Sequence, residues 1–457
     1  MIWNILFILS LISTAVVVDV QSMLFMLFVY LIGMVVNNVF NIGQEAKETS
    51  KIFNRIFTLG SIYMLISFVF MTVNNFDFLL AYDPYYYFIP TTKDYLISGS
   101  YWSALESIWN NYDFFNRFQS GYFAYATLFG FLSEGLGANF YLGQQISVLL
   151  LFSFVGVVIF KLFRTNNFTK NKAIKYTLII CLFSILFFYS SQILRDTHIL
   201  LMYLLGIYFT FKKEFSFFNL LKLLVVIFVC TTLRLESGLF MIILIPTYLL
   251  LSLQYSKMKI VVLIFASIVA VGGLVLTNVY LPQITEVAEA NQEAYGGDKG
   301  DGVIGNLQEI PVAGDVAAII YNAAQPIPFW SRLSTNSTNK DDKAVYNAMN
   351  FPRSFASFFN WIVIIYIVFW LLNKKIRKRV KPFISKPLTY QLWIGLLFLL
   401  LQADVISQRR LMPYYVMFYI LFFIIYSNLQ IEKRKQINFV VVVSFILVQG
   451  AAILYLN

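Results

Sequence analysis

YLGQQISVLLLFSFVGVVIFKLF, residues 141–163, decides the class of this chain. Its first twenty residues carry no formal charge, and apolar side chains fall on every side rather than along one stripe. A helix that is apolar all round has no face for water. At 1.5 Å per residue, twenty residues reach about 30 Å, the depth of a bilayer's hydrocarbon core. The first charge, Lys161, stands where such a helix leaves the hydrocarbon, and Arg164, Lys170, Lys172 and Lys175 follow. The stretch reads as a membrane span that ends on a basic surface.

Similar runs recur on both sides of it, near 2–18, 22–42, 57–73, 174–191, 196–211, 216–233, 237–253, 259–281, 355–373, 387–403, 411–428 and 438–456. The whole chain of 457 residues is 59% hydrophobic and only 12% charged. Soluble domains are about a quarter charged, so that class is excluded. The expected fold is an all-α polytopic integral membrane protein, a single membrane domain of about thirteen (12–14) transmembrane helices, N-terminus inside and C-terminus outside. The opening MIWNILFILSLISTAVVV lacks a basic n-region and a small-residue cleavage site, so it is expected to be a first span rather than a signal peptide. Cys181 and Cys230 fall inside apolar runs, which argues against a disulfide framework or a thiolate metal site. No internal repeat is apparent, which weighs against transporter folds built from paired halves.

The loop charges support this register. Of 34 Lys and Arg, 23 fall on one side, among them Lys47, Lys51, Arg55, Lys212, Lys213, Lys257, Lys259, the Lys374–Lys381 block, Lys433 and Lys435. Basic loops resist translocation, so this side is read as cytoplasmic. The net charge of +11 is therefore a topology signature, with no nucleic-acid partner implied. The remaining basic residues are dominated by arginine: Arg117, Arg195, Arg234, Arg332, Arg353, Arg409 and Arg410. An arginine that opposes the topology bias suits a job for a planar, permanently charged fork that grips phosphate or carboxylate in bidentate fashion.

Two long segments are expected outside. The first, 74–140, is dense in aromatics: FDFLLAYDPYYYFIP (76–90), Tyr101-Trp102 and FFNRFQSGYFAY (114–125). It reads as amphipathic helices, either an interfacial aromatic belt or a surface that stacks on sugars or covers a lipid tail. Residues 121–136 within it are expected as a span, a re-entrant helix or an interfacial helix. The second, 282–354, is polar. Its GGDKGDG (296–302) lacks the ligand spacing of an EF-hand, so it reads as a loop.

Three junctions at outer span ends carry candidate chemistry. In YSSQILRDTHILLMYLL (189–205), Arg195, Asp196 and the chain's one histidine, His198, sit at a helix start, with Arg195 and His198 three residues apart on one face. In CTTLRLESGLF (230–240), Arg234 and Glu236 occupy another tight junction. In ADVISQRRLMPYYVMFY (403–419), Arg409 and Arg410 open a late span, with Pro413 expected in its first turn and Tyr414 after it. Each junction has a bland reading: Arg195 paired with Asp196, Arg234 paired with Glu236, or snorkelling to the interface. The alternative is one outward-facing cleft for an anionic, diphosphate-linked lipid. There guanidinium groups stabilise charge on a departing diphosphate, and His198, Glu236 or Asp83 takes a proton from an attacking hydroxyl. Arg117, Tyr85, Asp196 and Tyr414 are further candidates for substrate contact. Asp83-Pro84 also reads simply as a turn. No Walker A, HExxH, nucleophile elbow or cytoplasmic DxD is present, so the energy must reside in the substrate.

At these residues the chain resembles the polytopic polymerases of bacterial surface polysaccharides, the Wzy-type O-antigen and capsule polymerases and especially the EpsG-like exopolysaccharide branch. The resemblance rests on the serine-containing turn into Arg195-Asp196, on Leu233-Arg234 before another span, and on Arg410 followed by Tyr414. It implies a helical, GT-C-like membrane glycosyltransferase that joins undecaprenyl-diphosphate-linked oligosaccharide repeats outside the cytoplasmic membrane of a bacterium. It also implies no metal and no cofactor, with a chain-length regulator as a possible partner. Arg195, Arg234 and Arg410 would bind diphosphate. Related ligases often use a histidine near the last large outer loop, and this chain has none there. Two rival readings stay open. One is a glycosyltransferase using a sugar-phosphate-lipid donor, with Asp83 leading. The other is a flippase or exporter of lipid-linked sugars.

Overall fold

The computed structural model describes residues 2–41, 45–73, 87–110, 119–211, 215–252, 351–401 and 408–456. Among these the chain is all helical. In order the helices are α1 (Ile2–Val17), α2 (Val20–Phe40), α3 (Ala46–Val73), α4 (Ile89–Leu96), α5 (Tyr101–Asn110), α6 (Ser120–Gly135), α7 (Phe140–Thr165), α8 (Lys170–Phe183) and α9 (Ile185–Ser190). They continue with α10 (Asp196–Thr210), α11 (Phe217–Leu233), α12 (Leu235–Met241), α13 (Leu244–Ser252), α14 (Phe351–Leu372), α15 (Lys374–Val380), α16 (Lys386–Leu401), α17 (Gln408–Asn428) and α18 (Ile431–Leu456).

Among the described residues, Val20–Phe40, Ala46–Phe70, Phe140–Thr165 and Ser354–Leu372 have the length and apolar composition to cross a membrane. Ile2–Val17, Phe217–Leu233 and Met412–Asn428 are shorter and apolar. The outward faces of the outer helices are apolar as well. On α11, Phe217, Phe218, Leu221, Leu224, Val225 and Phe228 stand exposed along one stripe, and α18 exposes Phe439, Val442, Ile446 and Leu447. In water such faces would far exceed the apolar patch of a soluble monomer; against lipid tails they are ordinary. The chain is a helical membrane protein.

The expected run 174–191 is two helices. Ser184 adopts an extended conformation (φ −100°, ψ 172°), ends α8, and caps α9 by accepting a hydrogen bond from the Leu186 N–H at 3.2 Å. The run 237–253 is likewise divided, into α12 and α13. Both breaks fall inside uninterrupted apolar sequence, where hydropathy has no power to show them.

Helix α7, which holds the apolar run 141–163, is buried along most of its length and packs on α2, α3, α6, α8 and α10. Burial between lipid-solvated helices gains little from hydrophobicity, so close approach and dispersion must hold the bundle. Gly60 of α3 lies under Leu149, and Gly156 of α7 lies under Ile56, so the two helices cross closely with a glycine from each at the contact. Helix α10 is buried next to α7 and also meets α11, α13 and α17.

Polar contacts sort to the two ends of the bundle. At one end Arg164 donates to Glu45 at 2.6 Å, and Lys170 pairs with Glu48 at 3.1 Å. In the same layer Ser385 donates to Asn166 at 2.8 Å, and Arg434 donates to the Leu429 and Ser427 carbonyls at the end of α17. The basic ends of α3, α7, α8 and α18 and the C-terminal end of α17 therefore lie together. At the other end the Asn139 N–H donates to Ser22 Oγ at 2.9 Å, and Lys93 reaches the Tyr141 hydroxyl. The described part of the aromatic segment lies here. Helices α4 and α5 pack on α6, the turn between them passing through Gly99 at φ +75°. Helix α5 buries Ala104 and Ile108 on one face, while Trp102 and Trp109, seven residues apart, stand exposed on another. Residues 121–135 lie in α6, a helix packed on α4, α5, α7 and α11, with Tyr122, Phe123 and Ala126 buried.

Candidate functional site

The α9–α10 junction is a five-residue turn. Thr197 Oγ1 donates to Ser190 Oγ at 3.1 Å across it, and the Arg195 carbonyl accepts from the His198 and Ile199 N–H groups, starting α10. The α11–α12 junction is tighter still. Arg234 is a single extended residue (φ −163°, ψ 118°) between two helices. Thr231 and Thr232 turn their hydroxyls back onto the Ile227 and Val229 carbonyls, the bonding that loosens a helix near its end. Helix α12 then folds against α11 through Gly238, where an added Cβ would stand 2.6 Å from the backbone Cα of Thr231. Since backbone cannot give way as a side chain can, Gly238→Ala should cost roughly 1–3 kcal/mol. Thermal unfolding in detergent checks this, with Gly135→Ala, which meets nothing within 4 Å, as the control that should leave the midpoint unchanged.

These two junctions hold each other. Arg234 donates to Asp196 at 3.0 Å, with side chains only 8% and 3% exposed. In return Arg195, next to Asp196, points its guanidinium at the carbonyl of Leu233, next to Arg234, at 3.5 Å. That is the long limit of a hydrogen bond, and the same guanidinium lies 5.9 Å over the Phe88 ring at the foot of α4. Among the described residues the salt bridge at this junction runs between hairpins, from Arg234 to Asp196, and the Glu236 side chain lies outside them. Removing two charges from water is expensive, and only close geometry with further hydrogen bonds offsets it. Among the described residues one donor stays open: Arg234 Nε is buried with no acceptor.

His198 lies on the other side of α10's first turn. It is 5% exposed, edge-on to Tyr122 at 5.2 Å and Tyr125 at 4.7 Å, and among the described residues no side chain is hydrogen-bonded to either ring nitrogen. Tyr125 is itself anchored through a 2.8 Å bond to the Ser147 carbonyl of α7. Nearby, at the N-cap of α6, Gln119 donates to the Tyr87 hydroxyl at 3.2 Å, while its own carbonyl oxygen lacks a partner among the described residues.

A third helix joins two turns further along α10, where the Tyr203 and Tyr414 hydroxyls meet at 3.0 Å, both residues buried. Arg234 and Cys230 lie near enough to both hydroxyls to bear on their electrostatics. Tyr414 stands four residues, one helical turn, after Arg410, so the first turn of α17 lies at the junction end of the bundle. That helix starts at Gln408, which puts Pro413 inside it rather than in its first turn, and the Arg409 carbonyl loses its intrahelical donor.

Of the residues singled out from sequence, Arg195, Asp196, His198, Arg234 and Tyr414 form this connected cluster. Glu236, Arg409 and Arg410 lie in helices α12 and α17, and their side chains are outside the described residues. Asp83, Tyr85 and Arg117 are outside them altogether. Tyr122, Tyr125, Gln119 and Tyr203 were not singled out; the first three lie in the aromatic stretch 114–125 that was read only as a whole. Among the described residues, no three His, Cys, Asp or Glu side chains come together as a metal site requires.

Comparison with protein-family models, curated proteins and solved structures finds no match for this chain. Among the described residues the cluster holds two guanidinium groups and one carboxylate, in a setting poor in water, where fixed donors act strongly on an anion.

Proposed function

We propose that this protein is a membrane glycosyltransferase that extends a surface polysaccharide. It joins undecaprenyl-diphosphate-linked oligosaccharide repeats on the outer side of a bacterial cytoplasmic membrane, through about thirteen spans in a GT-C-like arrangement. The observation that carries this reading is the reciprocal bracing of Arg195 and Arg234, two arginines at the end of the bundle opposite the lysine-rich layer. Topology gives no reason to keep them there. An anionic headgroup does.

In this reading Arg195, Arg234, Arg409 and Arg410 hold the diphosphate of the donor lipid, whose tail stays in the membrane. The attacking sugar hydroxyl forms a bond to the anomeric carbon as the bond to the diphosphate breaks. Its proton passes to a base, and the diphosphate departs carrying the electron pair. Charge grows on the leaving oxygens, and that is where forked donors lower the barrier. His198 is a base candidate, with no side chain hydrogen-bonded to its ring nitrogens among the described residues; Glu236 and Asp83 are the others. Asp196 takes a different part from the substrate contact first assigned to it: it orients Arg234.

The test is reconstitution of the purified chain in vesicles with lipid-linked repeat and no other protein. A ladder of polymer released with lipid diphosphate supports the reading. Transfer of intact lipid-linked repeat between leaflets without any ladder supports an exporter instead, and no turnover of that donor with turnover of a sugar-phosphate lipid supports the rival transferase.

A further inference from the structure

The opposite end of the molecule carries a site of its own. Helix α14 leaves the hydrocarbon at Leu371 and Leu372, the latter 79% exposed, and the next residues are Lys374, Lys375, Arg377, Lys378, Arg379 and Lys381, with Lys386 one turn on. All seven are exposed. No Asp or Glu occurs between Asp342 and Asp404. Among the described residues none of the seven forms a salt bridge, while Glu45 and Glu48 in the same layer are already committed to Arg164 and Lys170.

The backbone is built to hold this charge still. Asn373 caps α15 by accepting from the N–H groups of Lys375 and Ile376. Ile376 and Val380, four residues apart, are buried against the bundle, which turns the basic residues of α15 outward. Pro382 ends the segment in a 3-10 turn, and Phe383 stands 53% exposed beside Lys381. An insertion signal needs only positive charge. A capped, anchored helix with an exposed phenylalanine at the hydrocarbon boundary fits a surface that stays in contact with headgroups.

We propose that Lys374–Lys386 is a docking surface for anionic phospholipid headgroups in the leaflet that meets the basic layer. The exposed leucines immediately before it put headgroup phosphates within reach of every one of these side chains, which is why lipid is the occupant rather than an acidic protein. Phe383 enters the acyl boundary beside them. This inference does not depend on the glycosyltransferase reading.

The test uses the purified full-length chain in mixed micelles of dioleoylphosphatidylglycerol and dioleoylphosphatidylcholine, with bound lipid counted by native mass spectrometry. Wild type should retain the anionic lipid in preference by roughly tenfold or more, as several headgroup-level cations together predict. The variant K374Q/K375Q/R377Q/K378Q/R379Q/K381Q should lose that preference, and K374R/K375R/K378R/K381R should keep it. If the glutamine variant fails to fold, wild type alone decides: raising salt from about 0.05 M to about 0.5 M shortens the screening length to a few Å and should collapse the ratio. A wild-type ratio near one, a ratio indifferent to salt and to the glutamine changes, or binding of an acidic polypeptide without lipid preference overturns the proposal.

Discussion

Asp196→Ala should destabilise the protein by about 3–5 kcal/mol, the cost of leaving one member of a buried ion pair without its partner. The pair is 3.0 Å long, its side chains almost fully enclosed, and it ties the start of α10 to the break between α11 and α12. Alanine leaves Arg234 charged and enclosed, with its Nε already lacking an acceptor among the described residues. The double variant Asp196→Leu with Arg234→Met should recover most of the lost stability, because apolar residues of similar volume replace a buried pair at little cost. It should not recover chain extension. Thermal unfolding in detergent and polymer synthesis, measured on the same preparations, separate the two contributions. An Asp196→Ala protein as stable as wild type means that the pair does not hold the junction. A double variant that extends polymer means that Arg234 serves structure alone.

Arg195→Ala should reduce chain extension by about 10²–10³-fold, the usual loss when one fixed donor to a developing oxyanion is removed. Its effect on stability should be small, since Arg195 is only partly buried and its bond to the Leu233 carbonyl is long at 3.5 Å. Arg195→Lys should fail nearly as badly, because an ammonium cannot present two parallel N–H groups to two phosphate oxygens. Arg410→Ala, one turn before Tyr414, should fall in the same range. Product ladders from purified variants at equal protein give the ratio. Normal extension by Arg195→Ala and Arg410→Ala together removes the diphosphate assignment.

Much of the frame was legible because hydropathy and charge act locally. The run 141–163 is α7 within a residue or two at either end, 216–233 ends where α11 ends, and Lys161–Lys175 lies with the other basic ends. The breaks at Ser184 and between α12 and α13 were not legible, since a serine and a pair of isoleucines look like any other part of an apolar run. Pro413 was placed in a first turn because the apolar pattern begins after Arg410, whereas the helix begins at Gln408 and takes the two arginines with it. At the site, the residue types were readable and their partners were not. Asp196 stands beside Arg195 in sequence, yet its 3.0 Å ion pair is with Arg234, 38 residues away. Tyr203 finds Tyr414 over a separation of 211 residues. Such choices depend on how α10 packs against α11 and α17, which no local pattern encodes.

The most direct measurement is a titration of the detergent-solubilised chain with three ligands that share one tail: polyprenyl diphosphate, polyprenyl monophosphate and the free polyprenol. If Arg195 and Arg234 together form an anion site, the diphosphate should bind at least tenfold more tightly than the alcohol, the monophosphate should fall between, and Arg195→Ala should erase the difference. Equal affinity for all three, or a diphosphate preference that survives the loss of Arg195, would contradict the account.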